Sequence, residues 1–143
     1  MSDSIVIVAA KRTPIGSMNG QLLSMTSPQL ASVAIKAAVA QSGLKVEDIT
    51  EAIIGCVLPA ALGQAPARQA VLGADLLKST ACSTVNKVCG SGMKTVMMAH
   101  DAIIAGSASV IVAGGMESTF KPDCATAALM ATDASCGEVI ESN

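Results

Sequence analysis

The stretch "NKVCGSG" (residues 86–92) sets Cys89 between an apparent strand and an apparent helix, with glycine at 90 and 92. A strand-to-helix junction gathers unpaired backbone N–H groups and the positive end of the helix dipole, and both favour a thiolate over a thiol. Glycines beside it let a substrate carbonyl approach bare backbone, whose N–H groups can stabilise an oxyanion. The residues themselves leave two readings open: a nucleophile aimed at an acyl group, or a small buried thiol.

Other reactive side chains offer less. His100, the single histidine, lies eleven residues along the same helix, roughly 16 Å from Cys89 at 1.5 Å per residue. It cannot act as the base of Cys89, and its place on an apolar stripe predicts a core or interface histidine. Arg68 and Gln69 in "GQAPARQA" are expected to cap neighbouring loops, with substrate positioning as the alternative. The glycine spacing fits no phosphate loop: Met93 follows Gly92 where a P-loop needs lysine, and Thr95 stands where the dinucleotide fingerprint needs its third glycine. The five cysteines, at 56, 82, 89, 124 and 136, form no C-x-x-C pair, so neither a disulfide framework nor a zinc ribbon is indicated. Apart from Cys89 they are expected as small apolar fillers.

The elements that must position Cys89 follow from periodicity. "IVIVAAKR", from Ile5, is a β-branched apolar run that predicts a strand buried on both faces. A helix is expected next, capped by Ser27, with Pro28 at its first position, a stripe of Leu30, Val33, Ala34, Ala37 and Ala38, and Gly43 at its end. "EAIIGCVLP" predicts a second strand, and Pro66 opens a shorter helix through "PARQAVLGADL". "STACSTVNKV" gives a third strand running into Cys89. The following helix presents Met93, Val96, Met97, His100, Ile103 and Ile104 on one side, where they are expected in the core, and ends at Gly106. "SVIVAGGMES" is a fourth strand. This alternation is that of an α/β layered domain. Residues 1–118 are taken as that domain. Residues 119–143 lose periodicity, with one short helix expected near residues 125–130.

With 143 residues, one domain is expected. Nine basic against eleven acidic side chains give a net charge of -2, and aromatic content is 1%, so neither phosphate attraction nor base stacking favours nucleic acid. Charged residues make up 14% and hydrophobic ones 51%, against roughly a quarter charged in an average domain. So low a charge predicts a face hidden against another domain or subunit, most simply in a homo-oligomer. No apolar run approaches the roughly 20 residues that span a bilayer. The acid at position 3 does not suit a secretory signal. The default expectation is therefore a cytoplasmic protein without membrane partners.

"VAAKRTPIG", "GQAPARQA", "NKVCGSGMK" and "VIVAGGMES" stand in the order and spacing of the start of the thiolases, the acetyl-CoA acetyltransferase family, which residues 4–118 resemble. The resemblance implies the N-terminal half of a layered α/β fold, with a mostly parallel mixed sheet and helices on both faces. It implies that Cys89 forms an acyl-thioester during condensation of two acetyl-CoA molecules or thiolysis of a 3-ketoacyl-CoA. It also implies that the Cys89 backbone N–H serves in an oxyanion hole, and that acyl-CoA is the substrate, with no metal and no separate cofactor. A 3-ketoacyl synthase is the related alternative, but "GGMES" and "APARQA" fit thiolases better.

Departures are visible. The family's G-H-P histidine, N-E-A-F asparagine and C-x-G-G cysteine are not among these 143 residues, and "TFKPDCATAAL" does not match the M-S-N-x-P-Y segment that usually follows "GGMES". Residues 119–143 are thus expected to be a divergent or truncated start of the family's loop domain, with "GEVIESN" family-like again. By itself the chain is expected to turn over slowly or not at all. A non-catalytic half that serves as a dimerisation or interaction module is the rival expectation.

Overall fold

The computed structural model describes residues 4–118. In chain order these form α1 (Ser27–Ser42), a 3-10 turn (Val46–Asp48), β1 (Glu51–Gly55), α2 (Pro66–Gly73), β2 (Ala81–Val85), α3 (Ser91–Ile104) and β3 (Ile111–Gly115). The strands make one parallel sheet in the order β2-β1-β3. The chain leaves central β1 for β2 on one side, then crosses to β3 on the other.

That reversal places α2 and α3 on opposite faces, because parallel crossovers keep one hand. Side chains alternate along β1 accordingly. Ala52, Ile54 and Cys56 join a core with Ala67, Ala70, Val71 and Ala74 of α2 and Ala31 and Ile35 of α1. Gly55 faces the other way, onto the start of α3. Val71, with no exposed surface, contributes on the order of 1.5–3 kcal/mol through burial. Small residues let the layers approach: a methyl added at Gly73 would stand 3.0 Å from Ser32 Cβ.

The expected α/β alternation and helices on both faces hold, and the three described strands are all parallel. Details differ from expectation in four places. First, residues 5–8 form no strand; Val6, Ile7 and Val8 are exposed. An apolar run becomes a buried strand when a sheet edge takes it up, and neither β2 nor β3 pairs with it.

Second, the cap of α1 is Thr26, not Ser27. Thr26 Oγ1 accepts from Gln29 N and Thr26 N donates to Gln29 Oε1. Only the earlier start gives this reciprocal capping box, since Leu30 could not return a bond to Ser27. Gly43 ends the helix in the left-handed region at φ 71°, as expected.

Third, α1 is turned: Ala31 and Ile35 are buried while Val33 is 56% exposed. Fourth, α3 is turned as well. Ser91, Thr95 and Ala99 face inward, while Met93, Val96, Met97 and Ile104 are exposed. The backbone of α3 lies so close to the sheet that only small side chains fit between them. The second segment, residues 119–143, with its expected short helix, lies outside the described residues. Among the described residues no helix is long and apolar enough to cross a membrane.

Candidate active site

All three strands end at one rim, where ligands collect in open parallel sheets whose order reverses. The ladder continues past the strand ends through Cys56 N to Val85 O and Met116 N to Gly55 O, both 2.9 Å. Side chains then tie the loops together. The Glu117 carboxylate, after β3, accepts from Val57 N at 2.8 Å and Leu58 N at 3.1 Å, after β1. Asn86 Nδ2, after β2, donates to Val57 O at 3.1 Å.

Cys89 stands on this rim and is exposed. It precedes Gly90, the residue before the first turn of α3. Backbone bonds from Gly90 N to Lys87 O and from Ser91 N to Val88 O, at 3.1 and 3.0 Å, fold the loop into the helix. Val88 sits in the left-handed region at φ 49°, a true outlier for a β-branched residue. The amide and thiol of Cys89 take no hydrogen-bond partner among the described residues. The thiol is thus open to solvent beside the start of α3.

The two glycines divide their roles. Gly90 has only Lys87 near the space a side chain would fill, so its bare backbone borders the open side. Gly92 instead faces the sheet: a side chain there would meet Gly115 Cα at 3.5 Å, an ordinary contact, and one at Gly115 would press to 3.2 Å from Gly92 Cα.

Cys56 lies on the same rim but is buried. Its thiol is pushed up to about 11 by burial, helped by the nearby Glu117 charge and partly offset by a bond from the Leu58 backbone. It behaves as the filler expected of it. Cys82, half-buried, lies 3.9 Å from the Arg68 guanidinium. Cys124 and Cys136 lie outside the described residues.

His100 is exposed, with Nδ1 3.4 Å from Asp101 Oδ1. Of the two expected places, core or interface, the core one fails because α3 turns its apolar stripe outward. Arg68 donates to Thr80 O and Lys78 O, and Gln69 Nε2 donates to Leu62 O and Gln64 O. Both are therefore loop caps. Asn86, Ser91 and Glu117 escaped the sequence reading, and the left-handed Val88 two residues after Asn86 is a feature that only the structure reveals.

Comparison with known proteins gives the family and agrees with the fold. Residues 5–141 match the family model of the thiolase N-terminal domain. The mitochondrial acetyl-CoA acetyltransferase of Bos taurus is 53% identical over 116 residues, 81% of this chain and 28% of that protein. Its Homo sapiens counterpart is 53% identical over 114 residues, 80% of this chain and 27% of that one. The crystal structure of an Ascaris suum thiolase in complex with coenzyme A superposes with a TM-score of 0.77 at 42% identity, covering 79% of this chain and 30% of its own. The chain thus spans less than a third of the relatives it matches. Their names also overturn the cytoplasmic expectation, since these relatives are mitochondrial; a domain's composition carries no record of compartment, which is set by targeting segments. With its fold, motifs and family match in agreement, the chain belongs to the thiolase family.

Proposed function

We propose that Cys89 is the acyl-accepting nucleophile of a thiolase whose substrate is an acyl-CoA, acetyl-CoA foremost. The thiolate attacks the thioester carbonyl, a new C–S bond forms, the bond to coenzyme A breaks, and coenzyme A leaves as a thiolate that takes up a proton. The Cys89 N–H contributes to the oxyanion hole of the second half-reaction. The resemblance calls for no metal and no separate cofactor, coenzyme A being part of the substrate. Residues 1–118 form the acyl-accepting unit. In the assembled reaction the product is a 3-ketoacyl-CoA, or its thiolysis products in reverse.

The observation that supports this most is an exposed cysteine at the start of a helix, on the rim of a parallel sheet, in a chain that matches thiolases over residues 5–141. The acetyl-CoA acetyltransferase names of the relatives and the coenzyme A bound to the Ascaris neighbour favour the acetyl group and the CoA carrier. Incubating the purified chain with acetyl-CoA and mapping peptides by mass spectrometry tests it. A hydroxylamine-labile acetyl group on Cys89, absent from Cys89→Ser, is expected. Acetylation spread evenly over the cysteines, or none, would sink the reading.

A second reading, a thiolase half that serves as an association module, draws on the exposed Met93, Val96, Met97 and Ile104 of α3. Light scattering distinguishes it: a monomer at high concentration counts against this module and against a homo-oligomer of the isolated chain.

A further inference from the structure

Val88 carries an unfavourable backbone conformation immediately before Cys89, and its polar groups are all held. Asn86 Oδ1 accepts from Val88 N at 2.9 Å. Ser91 Oγ donates to Val88 O at 2.6 Å while accepting from Lys87 N at 2.8 Å. Ser91 is 5% exposed, so its hydroxyl has little competition from water. Asn86 is anchored in turn through its Nδ2 to Val57 O, and the Val57 N–H is bound by Glu117. Strained residues persist only when their surroundings over-determine them, and here the surroundings reach the ends of all three strands.

We propose that Asn86 and Ser91 are positioning residues for Cys89: their side chains pin Val88 in the left-handed conformation and so fix where the thiol stands relative to the start of α3. Without the clamp, Val88 relaxes toward ordinary backbone angles and the peptide that carries Cys89 rotates. This rests on the reading of Cys89 as the nucleophile for its purpose, but not for its geometry.

A pair of alkylating reagents reads that geometry. Iodoacetate is an anion and iodoacetamide is neutral; both react with the thiolate, so the ratio of their rates at one cysteine cancels the thiolate fraction. What remains is the local preference for an anion, which the leading amides of a helix supply. The ratio at Cys89, resolved by peptide mass spectrometry with Cys82 as the internal reference, is expected to fall roughly two- to five-fold in Asn86→Ala, the range that a helix terminus provides. Ser91→Ala, which removes the other half of the clamp, is expected to lower it similarly and serves if Asn86→Ala does not fold. Glycine adopts the left-handed region without a Cβ clash. In a Val88→Gly background, therefore, the loss of Asn86 is expected to lower the ratio by less than half as much.

An unchanged ratio in both single variants, or an equal fall with valine and glycine at 88, would overturn the clamp. Alkylation that behaves as expected while acetyl-CoA leaves no thioester would remove the proposed function and leave the clamp standing. Acetylation of Cys89 that ignores Asn86 and Ser91 would do the reverse.

Discussion

A methyl group placed on Gly55 would lie 2.7 Å from the carbonyl carbon of Ser91 and 2.8 Å from its Cβ. The central strand and the first turn of α3 are therefore in contact through backbone, and Gly115, paired with Gly55 in the sheet, extends the same contact to Gly92. This fixes how deep the start of α3 sits, and with it the loop that carries Cys89.

Gly55→Ala should accordingly push the start of α3 off the sheet. In an unstrained strand alanine would gain stability through the unfolded chain; here overpacking against backbone should cost about 1–3 kcal/mol. Urea denaturation checks the sign, and a stabilised variant would contradict the close approach.

Thr26→Ala removes the capping box of α1. A loss of about 1 kcal/mol is expected from the cap, whereas Ser27→Ala should cost less, because Ser27 Oγ is buried with no hydrogen-bond partner among the described residues. Equal losses in thermal denaturation would argue for Ser27 as the cap.

Cys56 gives stability a pH dependence of known sign. Its folded value near 11 lies above the ordinary 9.0 because burial, first, and the Glu117 charge, second, disfavour the thiolate. Between these values the unfolded chain binds fewer protons than the folded one, so stability should fall as pH rises from 9 toward 11. Cys56→Ala should flatten that slope in denaturation curves. Glu117→Gln removes the second cause, and Cys56 should then react with iodoacetamide at lower pH than in the parent chain.

Arg68 binds the carbonyls of Lys78 and Thr80 with its planar fork, which joins α2 to the entry of β2. Lysine cannot make both bonds in that geometry, so Arg68→Lys should be destabilising by on the order of 1 kcal/mol. If Arg68 instead gripped substrate, the same variant would leave the melting temperature unchanged and weaken acetyl-CoA labelling of Cys89.

The sequence by itself determined the order of helices and strands from residue 27 to 118, because the helix-start and helix-stop signals at Pro28, Gly43 and Pro66 and the apolar runs of β1 and β3 act within a few residues of themselves; it placed the cap of α1 one residue late, at Ser27. It also determined that Cys89 falls between a strand and a helix. The tertiary structure decided what depends on neighbours distant in the chain. Residues 5–8 met no sheet edge, and α1 and α3 turned whichever face let backbones approach, leaving Met93 and His100 outside and Thr95 within. Asn86 and Glu117 gain their meaning from bonds to Val57 and Leu58, 29 to 60 residues away. Local propensity cannot register such partners, since they exist only once three parallel strands end on the same rim.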